Sequence, residues 1–262
     1  MKVSLISAMA VLSIAAYVWA RGSEPAIAAD VRTPVLVELF TSEGCSSCPP
    51  ADRFLEKLDR QLVPGAEVIV LSEHVDYWNH IGWKDPYSSH LYSDRQSTYA
   101  NRFGLDSVYT PQMVVNGATE FVGSNSVLAD KAFAKVLSTP KVAVRISSVS
   151  LGPAKTLRAQ VEADALPSSF RQREAEVYVA LALNHAESHV SGGENGGRTL
   201  SHVAVVRDLV KVGPLKHDEG FAQEVQLRLE SGLDTHNLRV IAFVQEPKQG
   251  KVLGAAERLV ML

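Results

Sequence analysis

An apolar run, Val35-Leu36-Val37-Glu38-Leu39-Phe40, is followed closely by the only two cysteines of the chain, Cys45 and Cys48, which lead straight into Pro49-Pro50. No other stretch restricts the fold as much. The run is short, rich in β-favouring residues and bounded by turn formers, which fits a buried strand. Proline lacks a backbone N–H and has a fixed φ, so two in a row suit the first turn of a helix, where no donor is needed. Phe54, Leu55, Leu58 and Leu62 then recur on one helical face. The chain therefore predicts a strand that ends at a C-x-x-C pair and a helix that begins on it.

That position gives the pair a chemistry. Unsatisfied N–H groups and the positive end of the helix dipole favour a thiolate, and Cys45 is expected to be the more exposed sulfur. A thiolate attacks disulfides, and Cys48, about one helical turn on, is placed to resolve the mixed disulfide that forms. Two other readings stand beside this one. The pair can be an inert disulfide, although so short a loop adds little stability on entropic grounds. It can also hold a soft metal, Cu(I), with His74 as a further ligand. A structural zinc site needs four ligands, and the chain has no second cysteine pair.

Val68-Ile69-Val70-Leu71 predicts a second buried strand, parallel to the first through a right-handed crossover. Just past its end come His74, Asp76, Tyr77 and Trp78, which are placed to line a binding site. Ser88 to Phe103 predicts an amphipathic helix closed by Gly104, with Tyr92, Gln96, Tyr99 and Phe103 on its inner stripe and Asp94, Arg95 and Arg102 elsewhere. Thr110-Pro111 heads a strand, where proline is tolerated and an X-Pro bond can be cis. Asn116-Gly117 is a two-residue hairpin turn, and Ser126 is expected to cap a last helix through Leu137.

Strand, C-x-x-C opening a helix, strand, helix, Thr-Pro before a hairpin and a closing helix together resemble the thioredoxin fold. The resemblance implies that Cys45 is the nucleophile and Cys48 the resolving cysteine. It implies further that the Thr110-Pro111 bond is cis, that this loop faces the disulfide, and that it contacts a partner's backbone. Glu38 resembles the buried acid that assists proton transfer there, at a spacing to Cys45 that departs from the usual one. Gly44 stands where many thioredoxins carry tryptophan, and Ser46-Ser47 replaces their Gly-Pro. Over nearly the whole chain a closer resemblance holds. The stretch from Val37 to Asp52, His74-Val75-Asp76-Tyr77-Trp78, Arg95-Gln96 with Tyr99, and Tyr109-Thr110-Pro111-Gln112 are similar to the secreted bacterial family catalogued as domain of unknown function 1223.

Lys2, the apolar run from Val3 to Ala20, and Ala26 and Ala28 in an A-x-A arrangement predict a signal peptide over residues 1–28 or, left uncleaved, a membrane anchor. Export, to the periplasm or beyond, would put the cysteines in an oxidising compartment. A net charge of −3 without any basic run argues against nucleic acid, and leaves membrane contact only to an uncleaved N-terminus.

After Pro140 the texture changes to period-two alternation, as in Val142, Val144 and Ile146, or Leu238, Val240, Ala242 and Val244. The expected architecture is an α/β thioredoxin-like domain over 30–139 followed by an all-β, sandwich-like domain over 140–262. Between two of the later strands lies the glycine-rich stretch Ser191 to His202. It lacks the lysine of a phosphate-binding loop, and reads either as a mobile hairpin loop or as a polar cluster of Glu194, Arg198, His202 and Arg207 against the first domain or a partner. The expected function is an exported thiol-disulfide oxidoreductase, acting on protein or small-molecule thiols and disulfides with no cofactor beyond the Cys45–Cys48 pair. The alternative is a non-enzymatic protein that binds Cu(I) or a partner.

Overall fold

β1 (Thr33–Thr41) sends Val35, Val37 and Leu39 into one buried layer and Leu36, Glu38 and Phe40 into the opposite one. A strand covered on both faces has little need of polar alternation, which is why the run reads as nearly continuous. The computed structural model describes residues 32–153, 156–170 and 173–261. The predicted signal peptide or anchor lies outside them.

β2 (Ala66–His74) pairs parallel with β1, Val37 opposite Val70. On the other side of β1, β3 (Gln112–Val115) pairs antiparallel and turns into β4 (Thr119–Val122). Asn116 and Gly117 carry φ values of 47° and 57°, the left-handed pair that a tight hairpin turn demands. α1 (Pro49–Arg60) joins β1 to β2, α2 (His90–Phe103) joins β2 to β3, and α3 (Ser126–Leu137) follows β4. α1 stops at Arg60, so Leu62 falls past it and is 75% exposed, while Leu55 and Leu58 are buried. α2 begins after Ser89, whose hydroxyl accepts from Leu91 N, and ends at Gly104 in the left-handed conformation. The cap of α3 is Asn125 in place of Ser126. Arg95, expected on the outer side of α2, is buried, because it meets the carboxylate of Glu38 there.

β5 (Val144–Gly152), β6 (Thr156–Ala163) and β9 (Phe221–Arg228) form a small antiparallel sheet. β7 (Glu174–His189), β8 (Thr199–Lys216), β10 (Leu238–Gln245) and β11 (Val252–Leu259) instead extend the first sheet, giving eight strands in the order β11-β10-β7-β8-β2-β1-β3-β4. The sheet thus runs across the boundary expected near residue 140, and Arg32–Leu262 is one compact unit. The outer edge of β2 would otherwise present unpaired backbone groups, and β8 covers it with Val205 opposite Ser72. The fold is mixed α/β, with a large mixed sheet and a small antiparallel one.

The period-two residues share one core between the two sheets, Val144, Ile146, Val161, Val179 and Val240 among them. β10 is buried on its other face too. There Ile241 and Phe243 pack with Leu36 and Ile69, and Val252 N donates to Asn116 O at 2.9 Å, bringing the far edge of the sheet back to the β3–β4 turn. Among the described residues no helix is long and apolar enough to cross a membrane.

Candidate functional site

Cys45 and Cys48 form a disulfide at the mouth of α1, with Cys48 as its N-cap residue. Both are 0% exposed, which corrects the expectation of an accessible Cys45. The free N–H groups expected around the pair are largely taken. Cys45 N donates to Ser42 O, Cys48 N to Cys45 O, and the Ala51 and Asp52 N–H groups to Cys48 O. Ser47 is exposed, with Oγ 3.3 Å from Cys45 Sγ and donating to Thr110 O at 3.5 Å. The Thr110–Pro111 peptide is cis. Trp78 Nε1 donates to Thr110 Oγ1 at 2.8 Å, and the same side chain fills the space beside Gly44, where a Cβ would meet Trp78 Cβ at 3.1 Å. The absence of a side chain at 44 makes room for the close approach of Trp78 and Ile81 from another loop.

The second cover is the β7–β8 loop. Asn195, itself 0% exposed, donates through Nδ2 to Glu43 O at 2.8 Å and to Cys45 O at 2.9 Å. Glu194 Oε2 accepts from Ser46 N at 2.9 Å, and the Ser46 hydrogen bonds hold the Glu194 carboxyl below its ordinary value. Gly192 lies so close to the backbone of Gly82 that a Cβ would strike Gly82 O, and Gly193 has a φ of 66°. Glycine is needed here for backbone-to-backbone docking, so the loop is seated where a mobile hairpin is one expectation. Arg198 braces Asn195 through Oδ1 at 3.0 Å. Arg207, expected in the same cluster, instead pairs with Glu230.

Beneath this clasp lies a buried polar layer. His202, on β8, sits 3.5 Å from Glu43 Oε1 and 3.8 Å from Asp52 Oδ1, ion-pair separations too long for good hydrogen bonds. Asp52 Oδ1 accepts from Thr41 Oγ1 at 2.8 Å, and Glu43 Oε2 from Trp83 Nε1 at 2.7 Å. The His74 ring meets the His202 ring edge-on at 4.7 Å, and its Nδ1 is 2.7 Å from Asp85 Oδ2, which also accepts from Glu43 N. Burial would raise the Asp85 carboxyl, but the His74 ring and the N–H donors hold it below its usual value. Burial would likewise push His202 down, yet the carboxylates of Asp52 and Glu43 win and lift it to about 10.

A pH dependence follows. The folded value exceeds the ordinary histidine value of about 6.5, so His202 contributes stability that is fully present below about pH 6.5 and lost as pH rises through about 10. Urea denaturation between pH 6 and 10 should show the wild type losing roughly a few kcal/mol that a His202→Gln variant does not lose. Parallel slopes for the two proteins would refute the assignment.

The other predicted residues separate. Glu38 lies on the α2 side of β1, bound to Arg95 Nε at 2.6 Å and to the Tyr99 hydroxyl, and touches neither cysteine nor their loop. Asp76 is held by Ser93 and His90, and Tyr77 donates to Gln96 Oε1 at 3.1 Å, its phenol pushed up to about 12 by burial. β2 runs on to His74, expected just past its end. Of His74, Asp76, Tyr77 and Trp78, it is Trp78, through Thr110, and His74, through Asp85 and the His202 ring, that connect to the surroundings of the cysteines. For a Cu(I) site of Cys45, Cys48 and His74, the sulfurs are joined and His74 Nδ1 is engaged by Asp85. Among the described residues no group of three or more His, Cys, Asp and Glu side chains is arranged to hold a metal. Sequence reasoning missed Asn195, Asp85 and the pairing of Glu43 and Asp52 around His202. The signal for the last lay in two acids that flank the cysteines closely on either side.

A family model described as "Protein of unknown function (DUF1223)" matches residues 36–245. Among solved structures, the chain is similar to protein AGR_C_4864 from Agrobacterium tumefaciens, with 26% identity and a TM-score of 0.65 over 88% of this chain and 96% of that one. It also shares its fold with HBP35 of Porphyromonas gingivalis, at 15% identity and a TM-score of 0.63, over 87% of this chain and 76% of that one. No curated protein matches it.

Proposed function

The chain belongs to the family of proteins of unknown function DUF1223, and we propose that it is an exported, thioredoxin-type thiol-disulfide oxidoreductase whose working group is the Cys45–Cys48 pair. The observation that carries the reading is the placement of the only two cysteines, joined at the N-terminus of α1 with the Thr110–Pro111 loop opposite. The order β2-β1-β3-β4 with its three helices supports the thioredoxin-type reading. The apolar segment from Val3 to Ala20 supports export.

In the reduced protein the Cys45 thiolate attacks one sulfur of a partner disulfide. A Cys45–partner mixed disulfide forms and the partner's other sulfur leaves as a thiolate. Cys48, deprotonated in turn, attacks Cys45 Sγ, closes the Cys45–Cys48 disulfide and releases the partner's second thiolate. The protein dithiol loses two electrons and the partner disulfide gains them. Thr110 O, beside Ser47, supplies an acceptor for a partner's backbone N–H.

A Cys48→Ser variant challenged with a disulfide probe should accumulate a mixed disulfide at Cys45, detectable by mass spectrometry. Absence of any adduct in the native variant, with Cys45 modified only after unfolding, sinks the proposal. That outcome favours a second reading, prompted by the complete burial of both sulfurs: a structural bond that braces the loop under the clasp.

A further inference from the structure

We propose that the cavity between the end of α3 and the β10–β11 turn is a binding site for a small amphipathic anion, a carboxylate carried on an apolar body of medium-chain length. The cavity measures about 310 Å³, within the range of small-ligand sites. Val136, Phe170 and Leu253 make part of its wall apolar, while Lys135, Lys141 and Lys251 bring three ammonium groups and Glu246 a single carboxylate. That carboxylate is partly occupied, since Glu246 Oε2 accepts from Lys251 N at 3.1 Å. None of the three ammonium groups has an ion-pair partner among the described residues.

Lys141 is the most telling of them. It is half-buried, and burial, with no opposing charge to offset it, brings its ammonium down to about 8. On its other side it borders a cleft carrying Glu67 and Glu257, neither of which forms an ion pair with it. At the C-terminus of α3 two of the last-turn carbonyls are covered, since Thr139 Oγ1 donates to Val136 O at 2.7 Å and Ser138 Oγ to Lys135 O at 3.4 Å. A half-buried cation without an ion-pair partner stands beside an apolar wall, and an anionic group with an apolar tail matches both.

The test is calorimetric titration of the full chain with decanoate, and with decanol as the uncharged control. Decanoate should fill one saturable site, decanol should bind at least tenfold more weakly, and Lys141→Met should weaken decanoate at least tenfold while Lys141→Arg stays within a few-fold of wild type. Thermal melting of the variants confirms that each is folded, and the methionine variant removes a desolvated charge instead of creating one. No saturable decanoate binding, equal binding of decanol, or unchanged decanoate affinity in a folded Lys141→Met overturns the site. The Cys48→Ser experiment is unaffected by any of these outcomes.

Discussion

Arg95→Leu is expected to destabilise the folded chain by about 3–5 kcal/mol, the range for removing one partner of a buried ion pair. Arg95 is 3% exposed and donates to Glu38 Oε1 at 2.6 Å and to Gln245 Oε1 at 3.0 Å, with its guanidinium 5.2–5.6 Å from the ring centroids of Tyr99, Tyr178 and Phe243. A second buried carboxyl, Glu73, lies 3.6 Å from Arg95 Nε. Burial, and then the neighbouring Glu38, push the Glu73 carboxyl well above its usual range. Leucine would leave the buried Glu38 carboxyl without its guanidinium partner, in an interior that cannot solvate it. The attractive cation–ring contacts go as well.

Urea denaturation measures the loss, and two further variants separate its causes. Arg95→Lys should recover part of it, since the charge returns without the planar fork. The double variant Glu38→Gln, Arg95→Leu should be less damaged than Arg95→Leu alone, because the orphaned anion is gone. A loss below about 1 kcal/mol for Arg95→Leu would place the pair in the class of weak surface bridges and defeat this account.

The same cluster shows what a single chain of letters conceals. Helical periodicity places Tyr92, Gln96 and Tyr99 on the inner face of α2 and excludes Arg95 as charged, yet the structure buries Arg95 because a β1 acid is buried opposite it. Each charge is legible only from the other, fifty-seven residues away in sequence. The alternation after Pro140 was legible for the opposite reason. Period two is a local pattern, and it correctly marked Val144, Val179 and Val240 as facing one core. Pattern says nothing of which edge a strand joins, so the pairing of β8 with β2 stayed hidden, and with it the continuity of the large sheet. At the candidate site the cysteines, prolines and Thr110–Pro111 announced themselves. The cover over them did not, since a glycine-rich loop reads as freedom until the backbone against which it docks is known.

That cover makes a prediction of its own, and a large one. Asn195→Ala should accelerate reduction of the Cys45–Cys48 disulfide by dithiothreitol about ten- to a hundredfold. With both sulfurs fully buried, a reductant reaches them only when the loop over them opens, and two of the bonds that hold it shut come from one carboxamide. Each is worth roughly 0.5–1.5 kcal/mol, so losing both shifts the opening equilibrium by roughly 1–3 kcal/mol, or about one factor of ten for each 1.36 kcal/mol. Glu194→Gln should act in the same direction and less strongly, because its bond to Ser46 N lies at the exposed rim.

Reduction through this local opening should change little with low concentrations of urea, whereas reduction through global unfolding should rise steeply with them. If Asn195→Ala is reduced no faster than the wild type at zero denaturant, the loop is not the barrier and Trp78, which packs beside Gly44 and Thr110, is the next element to remove. If it is reduced faster while Cys48→Ser still traps a partner, the second half of the chain has a definite part in the chemistry of the first. It sets how often the disulfide is offered to a thiol.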